Sequence, residues 1–274
     1  MNDPVTMRRK LRAELKRLRT ASNLTQRTVA ETLDWSPSKV IRIENGSVAV
    51  GVTDLHALLR LYGEQDAARI GELEEMARGS KRQPFASYKD LYPPETLRYF
   101  AYESSSERIR QFELAVVPAL LQTEEYAKAL LRGFELDASR IDQIWESRVE
   151  RQELLERQDM PEMFFILDEA VVRRAVGGEG VMRSLREHLL LLSERPGVTI
   201  QVLPFGSGAY KALTGPFVYL EFEAADDPDV LYLERPLGDS VFRDDEEVTG
   251  PYLETFYQLE KQASAPNALE AALA

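Results

Sequence analysis

The sequence predicts an α+β protein. An all-α N-terminal domain of five helices spans residues 1–78, and an α+β domain, residues 90–262, carries a mixed sheet of about four strands with packed helices. Three observations carry this. From Met7 to Tyr62, four segments carry their apolar residues at helical spacing. After residue 160, four short apolar runs of strand character alternate with helical stretches. Between the two regions GSKRQP, residues 79–84, holds glycine, proline and polar residues without periodicity, so 79–89 reads as a linker. Residues 263–274, beyond the last helix, read as a flexible, frayed tail.

A chain of 274 residues is comfortable for two domains. Its formal net charge of −12 is unevenly spread. Residues 1–63 hold 11 Lys+Arg against 6 Asp+Glu, a net of +5, whereas the remainder holds 23 against 40, a net of −17. A basic head can approach phosphate while an acidic body stays off it. No run of about 18 apolar residues exists to span a membrane. The basic start, MNDPVTMRRKLRAELKRL, has no apolar stretch behind it of the kind a secretion signal needs. The absence of cysteine excludes a disulfide framework, a thiolate nucleophile and a cysteine-based zinc site. A cytoplasmic location is expected, nucleoid-associated when bound to DNA.

The leading helix, Met7 to Ala21, places Met7, Leu11, Leu15 and Leu18 on one face. Arg8, Arg9, Lys10, Arg12, Lys16 and Arg17 cover the rest, either as a solvated face or as neighbours of phosphate. A second helix runs from Thr25, placed to cap it, to Leu33, with Val29, Ala30 and Leu33 on one face. Asp34-Trp35 leaves room for only a tight turn. Ser36 is a good N-cap for the third helix, and Pro37 sits at its first position, where a missing N–H costs nothing. Val40 and Ile43 form its buried stripe, and Gly46 ends it. Two short helices crossed over such a turn make a helix-turn-helix, whose second member enters the major groove of DNA.

With Val40 and Ile43 inward, Pro37, Ser38, Lys39, Ile41 and Arg42 are left outside. Ser36 and Ser38 lie at the end that enters the groove, and Arg42 follows Ser38 by one turn on the same face. Arginine takes guanine O6 and N7 with two hydrogen bonds. Lys39 suits either a base or a phosphate. A fourth helix, Thr53 to Tyr62, has Leu55, Leu58, Leu59 and Tyr62 on one stripe and is closed by Gly63, leaving His56 on the surface. A fifth helix, about Asp66 to Arg78, completes the domain.

Leu24-Thr25-Gln26, the nine-residue helix, the Ser-x-Ser start and Ile43-Glu44-Asn45-Gly46 together resemble the Xre class of regulators, which includes the phage Cro and cI repressors. The resemblance covers about Met7 to Met76, and departs at Trp35, where that class has a small or aliphatic residue. It implies that Arg19 pairs with Glu44 to hold the reading helix, a structural role. It also implies that Gln26 and the backbone around Asn45 hold phosphates. The expected DNA-binding set is therefore Gln26, Arg27, Ser36, Pro37, Ser38, Lys39, Arg42 and Asn45, on double-stranded DNA, in a homodimer with one reading helix per half-site.

The body opens with a stretch rich in tyrosine and phenylalanine, from Phe85 to Tyr102. Helices are expected from about Pro118 to Phe134 and from about Ala138 to Gln158. The second of these has a seam of Ile141, Ile144, Trp145, Val149, Gln152 and Leu155. Met163–Leu167, Val198–Leu203, Phe217–Phe222 and Val230–Glu234 read as strands, the last two as an antiparallel hairpin across AADDPD. Asp168 caps a helix to Val176, another spans Val181 to Ser193, and a closing helix runs from Asp245 to Gln262. The pieces FELAVVPALLQTEEYAKALL, LDEAVVRRAVGG, IQVLPFGSGAY and GPFVYLEF resemble the toxin–antitoxin-like C-terminal domain of a set of actinobacterial Xre-type regulators. That resemblance implies a small cognate partner protein, encoded nearby.

No catalytic, cofactor or metal site is expected. His188 lacks a carboxylate at metal-ligand spacing and reads as a helix-surface or boundary residue. Glu124-Glu125, Asp168-Glu169 and Asp226-Asp227 read as solvated pairs. The loop Gly206–Lys211 reads as a flexible connection, since it lacks the ending of a phosphate-binding loop, although its backbone could cradle an anion. Aromatic loops could equally line a small-molecule pocket, form a partner groove or belong to the core. The expected function is a sequence-specific transcription regulator whose second domain dimerises and senses a small partner protein or ligand. The alternatives are an antitoxin-like interaction protein and a DNA-tethered enzyme.

Overall fold

A computed structural model describes residues 4–44, 48–80, 85–222, 228–234, 240–243 and 245–273. The chain divides into two compact units, Met1–Ala86 and Ser87–Ala274. Among its described residues the first unit holds five helices: α1 (Pro4–Ala21), α2 (Gln26–Leu33), α3 (Pro37–Glu44), α4 (Val52–Tyr62) and α5 (Ala67–Gly79). Three of them stop in the same way. Asn23, Asp34 and Gly63 follow α1, α2 and α4 in the left-handed conformation. The amide after each bonds back five residues, Leu24 to Arg19, Trp35 to Ala30 and Glu64 to Leu59. This satisfies carbonyls that a helix end leaves open. The helices close over Leu11, Leu15, Val29, Val40, Ile43, Leu55, Leu58 and Leu59.

The second unit is built on one sheet of six strands, not the four expected, in the order β3-β2-β1-β4-β5-β6. The strands are β1 (Arg108–Glu113), β2 (Glu162–Asp168), β3 (Val198–Leu203), β4 (Phe217–Glu221), β5 (Val230–Leu233) and β6 (Ser240–Arg243). β1, β2 and β3 run parallel, and β4, β5 and β6 add antiparallel pairs. The 224–229 turn lies largely outside the described residues, but the pairing of β4 with β5 is antiparallel as expected.

The two unexpected strands have different reasons. β1 reads RIRQFE, too charged to look like a sheet centre, yet it lies in the middle with Arg110, Gln111 and Glu113 buried. Cross-strand pairing makes this possible. Arg110 Nε donates to Glu221 of β4 at 2.6 Å, and its guanidinium lies over the rings of Phe164, Phe256 and Tyr257. β6 is only four residues long, too short for a periodic signal.

Helices α6 (Pro94–Glu103), α7 (Glu124–Gly133), α8 (Ala138–Gln152), α9 (Glu169–Arg173), α10 (Glu179–Ser193), α11 (Glu246–Glu260) and α12 (Leu269–Leu273) pack around the sheet. α11 covers one face through Phe256 and Leu259, against Phe112, Phe217 and Leu231. Tyr99 of α6 stacks flat on Tyr232 of β5 at 4.0 Å. α8 is turned from its expected seam: Val149 is exposed, while Ser147 and Arg151 are buried. The cause is Glu103, whose carboxylate takes both Arg151 Nε and Nη2 at 2.8 Å. Residues 264–273 are not a frayed tail. Ser264 bonds Val202 of the edge strand β3 through both its amide and its hydroxyl, and Leu269 and Leu273 of α12 are buried. This segment covers an edge that would otherwise expose unpaired backbone.

Candidate nucleic-acid interface

The turn between α2 and α3 is set by local chemistry. Thr25 Oγ1 accepts from the Thr28 amide at 3.1 Å and opens α2. Asp34 supplies the left-handed residue at φ 54°, which aspartate tolerates better than most residues. Ser36 Oγ then accepts from the Lys39 amide at 3.3 Å, and Pro37 starts α3. The chain reverses between two short helices with their exposed amides partly capped.

α3 has a clear inside and outside. Val40, Ile43 and Glu44 are buried, while Ser36, Pro37, Ser38, Ile41 and Arg42 are exposed. Arg42 Nε donates to the Ser38 carbonyl at 3.2 Å, so these two residues share a surface. The inner side is fixed by charge. Arg19 Nε and Nη2 donate to Glu44 at 2.6 and 3.0 Å, and Arg19 Nη1 donates to the Leu24 carbonyl at 2.7 Å. The hydrogen bond to Glu44 holds the Arg19 guanidinium above its ordinary pKa. This fork ties α1 to the last residue of α3, and removing either partner strands a charge.

Three residues stand differently from expectation. Gln26 Nε2 donates to Glu44 Oε2 at 2.7 Å, so its amide is part of the brace and not free for phosphate in this state. Lys39 Nζ lies 2.8 Å from Asp54 of α4 and 3.7 Å over the Trp35 ring, which takes it from the outer surface. On the leading helix, Arg8 Nη2 donates to the Ser80 carbonyl at the end of α5, and burial lowers its pKa. Arg27 is exposed and pairs with Glu31 at 2.9 Å. Asn45 and Gly46 lie outside the described residues. Asp54 and Trp35 were not legible as partners of Lys39. The only hint was the unusual tryptophan in the turn. His56 is a surface residue, with Nε2 at 2.7 Å from Glu74.

Residues 10–70 match the family described as a helix-turn-helix domain. Residues 96–273 match the family described as a domain of unknown function, DUF5753. The chain belongs to the DUF5753 family. The first unit thus carries a helix-turn-helix domain, the mark of a DNA-binding regulator. No curated protein and no solved structure matches the chain.

In the DUF5753 region the loop after β3 is tied down by two carboxylates. Tyr210 donates to Asp168 at 2.5 Å, and the Phe205 amide donates to Glu169 at 2.8 Å. Asp168 also caps α9 through the Ala170 amide. The loop is therefore pinned, and the carboxylates at its ends oppose an anion there. Glu113, at the end of β1, accepts from Gln111 at 2.8 Å. Burial, with Glu234 nearby, pushes its carboxyl up to about 8, against the pull of the Gln111 bond. His188 is half-buried on α10, and burial and Arg195 lower its pKa. Among the described residues no helix of the DUF5753 protein is long and apolar enough to cross a membrane.

Proposed function

We propose that this DUF5753 protein is a sequence-specific transcription regulator of the Xre class. Residues 1–78 bind double-stranded DNA as a homodimer, placing one α3 in the major groove of each half-site. Ser36, Pro37, Ser38 and Arg42 face the bases, Arg27 and the backbone around Asn45 meet phosphate, and Arg19 and Glu44 hold the angle. Gln26 supports Glu44 and turns to phosphate only if that bond opens. Lys39 contacts DNA only when released from Asp54. The DUF5753 region, toxin–antitoxin-like in kind, dimerises and receives a small partner protein or ligand in the cytoplasm.

The observation that carries this reading is the division of α3. Its inner side is locked to α1 by Arg19 and Glu44, while Ser38 and Arg42 stand together on the exposed side. Truncating Arg42 to alanine tests it on duplexes selected from a random pool by the full chain. Loss of a bidentate guanine contact costs about 1–3 kcal/mol on the selected sequence and much less on random DNA. Equal loss on both would remove Arg42 from base reading. Light scattering on the complex tests the dimer, which requires two chains per selected duplex.

A further inference from the structure

We infer that Ile41 reads a thymine, receiving its C5-methyl group in the major groove beside the polar contacts of Ser38 and Arg42. The inference rests on the DNA-binding reading above and extends it to a base type. Ile41 is 45% exposed, and among the described residues it is the only large hydrophobic side chain of the first unit left in that state. Elsewhere a single exposed isoleucine needs no explanation. Here it sits in the middle of the helix proposed to enter the groove.

The geometry of α3 decides what surrounds it. At roughly 100° per residue, Ser38 and Arg42 point away from the Val40–Ile43 side, with Ile41 and Pro37 on one flank and Lys39 on the other. The Lys39 flank is closed, because its ammonium is held by Asp54 and the Trp35 ring. What remains is a surface with a hydroxyl, a guanidinium and one apolar branched side chain. Hydrogen-bonding groups serve any base edge in the major groove, but the thymine methyl is the apolar feature there, and apolar side chains meet it. The adjacent Arg42 and the net +5 of residues 1–63 favour a polyanion over a protein as the occupant.

The test uses the full chain and duplexes selected from a random pool. Each thymine of the selected sequence is replaced in turn by deoxyuridine, which removes only the methyl. One position per half-site is expected to lose about fourfold in affinity, the value of one buried methyl-sized group. Ile41→Ala, which keeps the helix because the side chain is exposed, is expected to bind about as weakly to both versions at that position. The same deoxyuridine penalty in Ile41→Ala and in the natural chain overturns the inference, as does the absence of any methyl-sensitive thymine. In either case a clear preference for the selected sequence leaves the DNA-binding reading standing. No preference over random DNA removes both.

Discussion

Truncating Glu44 to alanine takes away the acceptor that Arg19 and Gln26 share. Two bonds from Arg19, at 2.6 and 3.0 Å, and one from Gln26, at 2.7 Å, are lost together. Arg19 keeps only its bond to the Leu24 carbonyl. The two side chains are 14% and 5% exposed, so the arginine is left largely dry and uncompensated. Breaking a buried pair from one side costs about 3–5 kcal/mol. Residual access of water to Arg19 places the cost near the lower end, about 3 kcal/mol. For a unit of under a hundred residues this lowers the melting midpoint by about 12–24 °C.

Two tryptophans make the assay simple, because Trp35 lies in the first unit and Trp145 in the second. In a Trp145→Phe background, fluorescence reports the first unit alone. The double variant Arg19→Met with Glu44→Leu should recover most of the loss, since no charge is stranded. A fall of less than about 3 °C in Glu44→Ala would place the pair among exposed ion pairs, which contribute little. A double variant as unstable as the single one would also refute the reasoning.

Asp54→Asn releases Lys39, and the slope of log affinity for random duplex against log salt should steepen by about 0.9 per chain. An unchanged slope means that Lys39 stays away from phosphate. Glu113 has a folded pKa of about 8 against an ordinary 4.5, so the folded chain holds a proton that the unfolded chain releases. Its contribution is intact below about pH 4.5, declines as pH rises towards 8, and is fully lost above that, at most about 5 kcal/mol. Glu113→Gln, facing the same Gln111, Glu234 and Tyr126, should match the natural chain near pH 5 and exceed its stability by several kcal/mol at pH 9. A pH-independent difference contradicts this. Leu269→Ala should cost about 2–5 kcal/mol, read from Trp145 in a Trp35→Phe background. A change under about 0.5 kcal/mol would mean that α12 is not packed on the sheet.

The helices of the first unit were legible because their signals are local. Thr25, Ser36 and Asp66 cap through their own side chains, and Gly63 ends α4 in the left-handed conformation. The surface of α3 follows from the same periodicity, since Val40 and Ile43, three residues apart, mark which side is buried. The fate of its polar side chains does not. Gln26 meets Glu44 across 18 positions of sequence and Lys39 meets Asp54 across 15, pairings that exist only once α2, α3 and α4 are packed together.

In the second unit the apolar strands β2 to β5 announced themselves, because a sheet core needs side chains that leave water. β1 did not, because charged residues at a sheet centre are stable only when another strand supplies the opposite charge. Glu221, more than a hundred residues away, does that for Arg110. α12 is similar: its two leucines form no pattern on their own, and β3 and α10 together give them somewhere to be buried.

The sequence by itself therefore determined the caps, the turn at Asp34-Trp35, the sidedness of α3 and the apolar strands, each governed by atoms a few residues apart. The tertiary structure alone decided which charges are spent on bracing, which strand lies at the centre of the sheet, and that Lys39 is drawn to Asp54 and Trp35. Long-range pairing of charge depends on what the rest of the chain brings near, and local spacing carries no record of that.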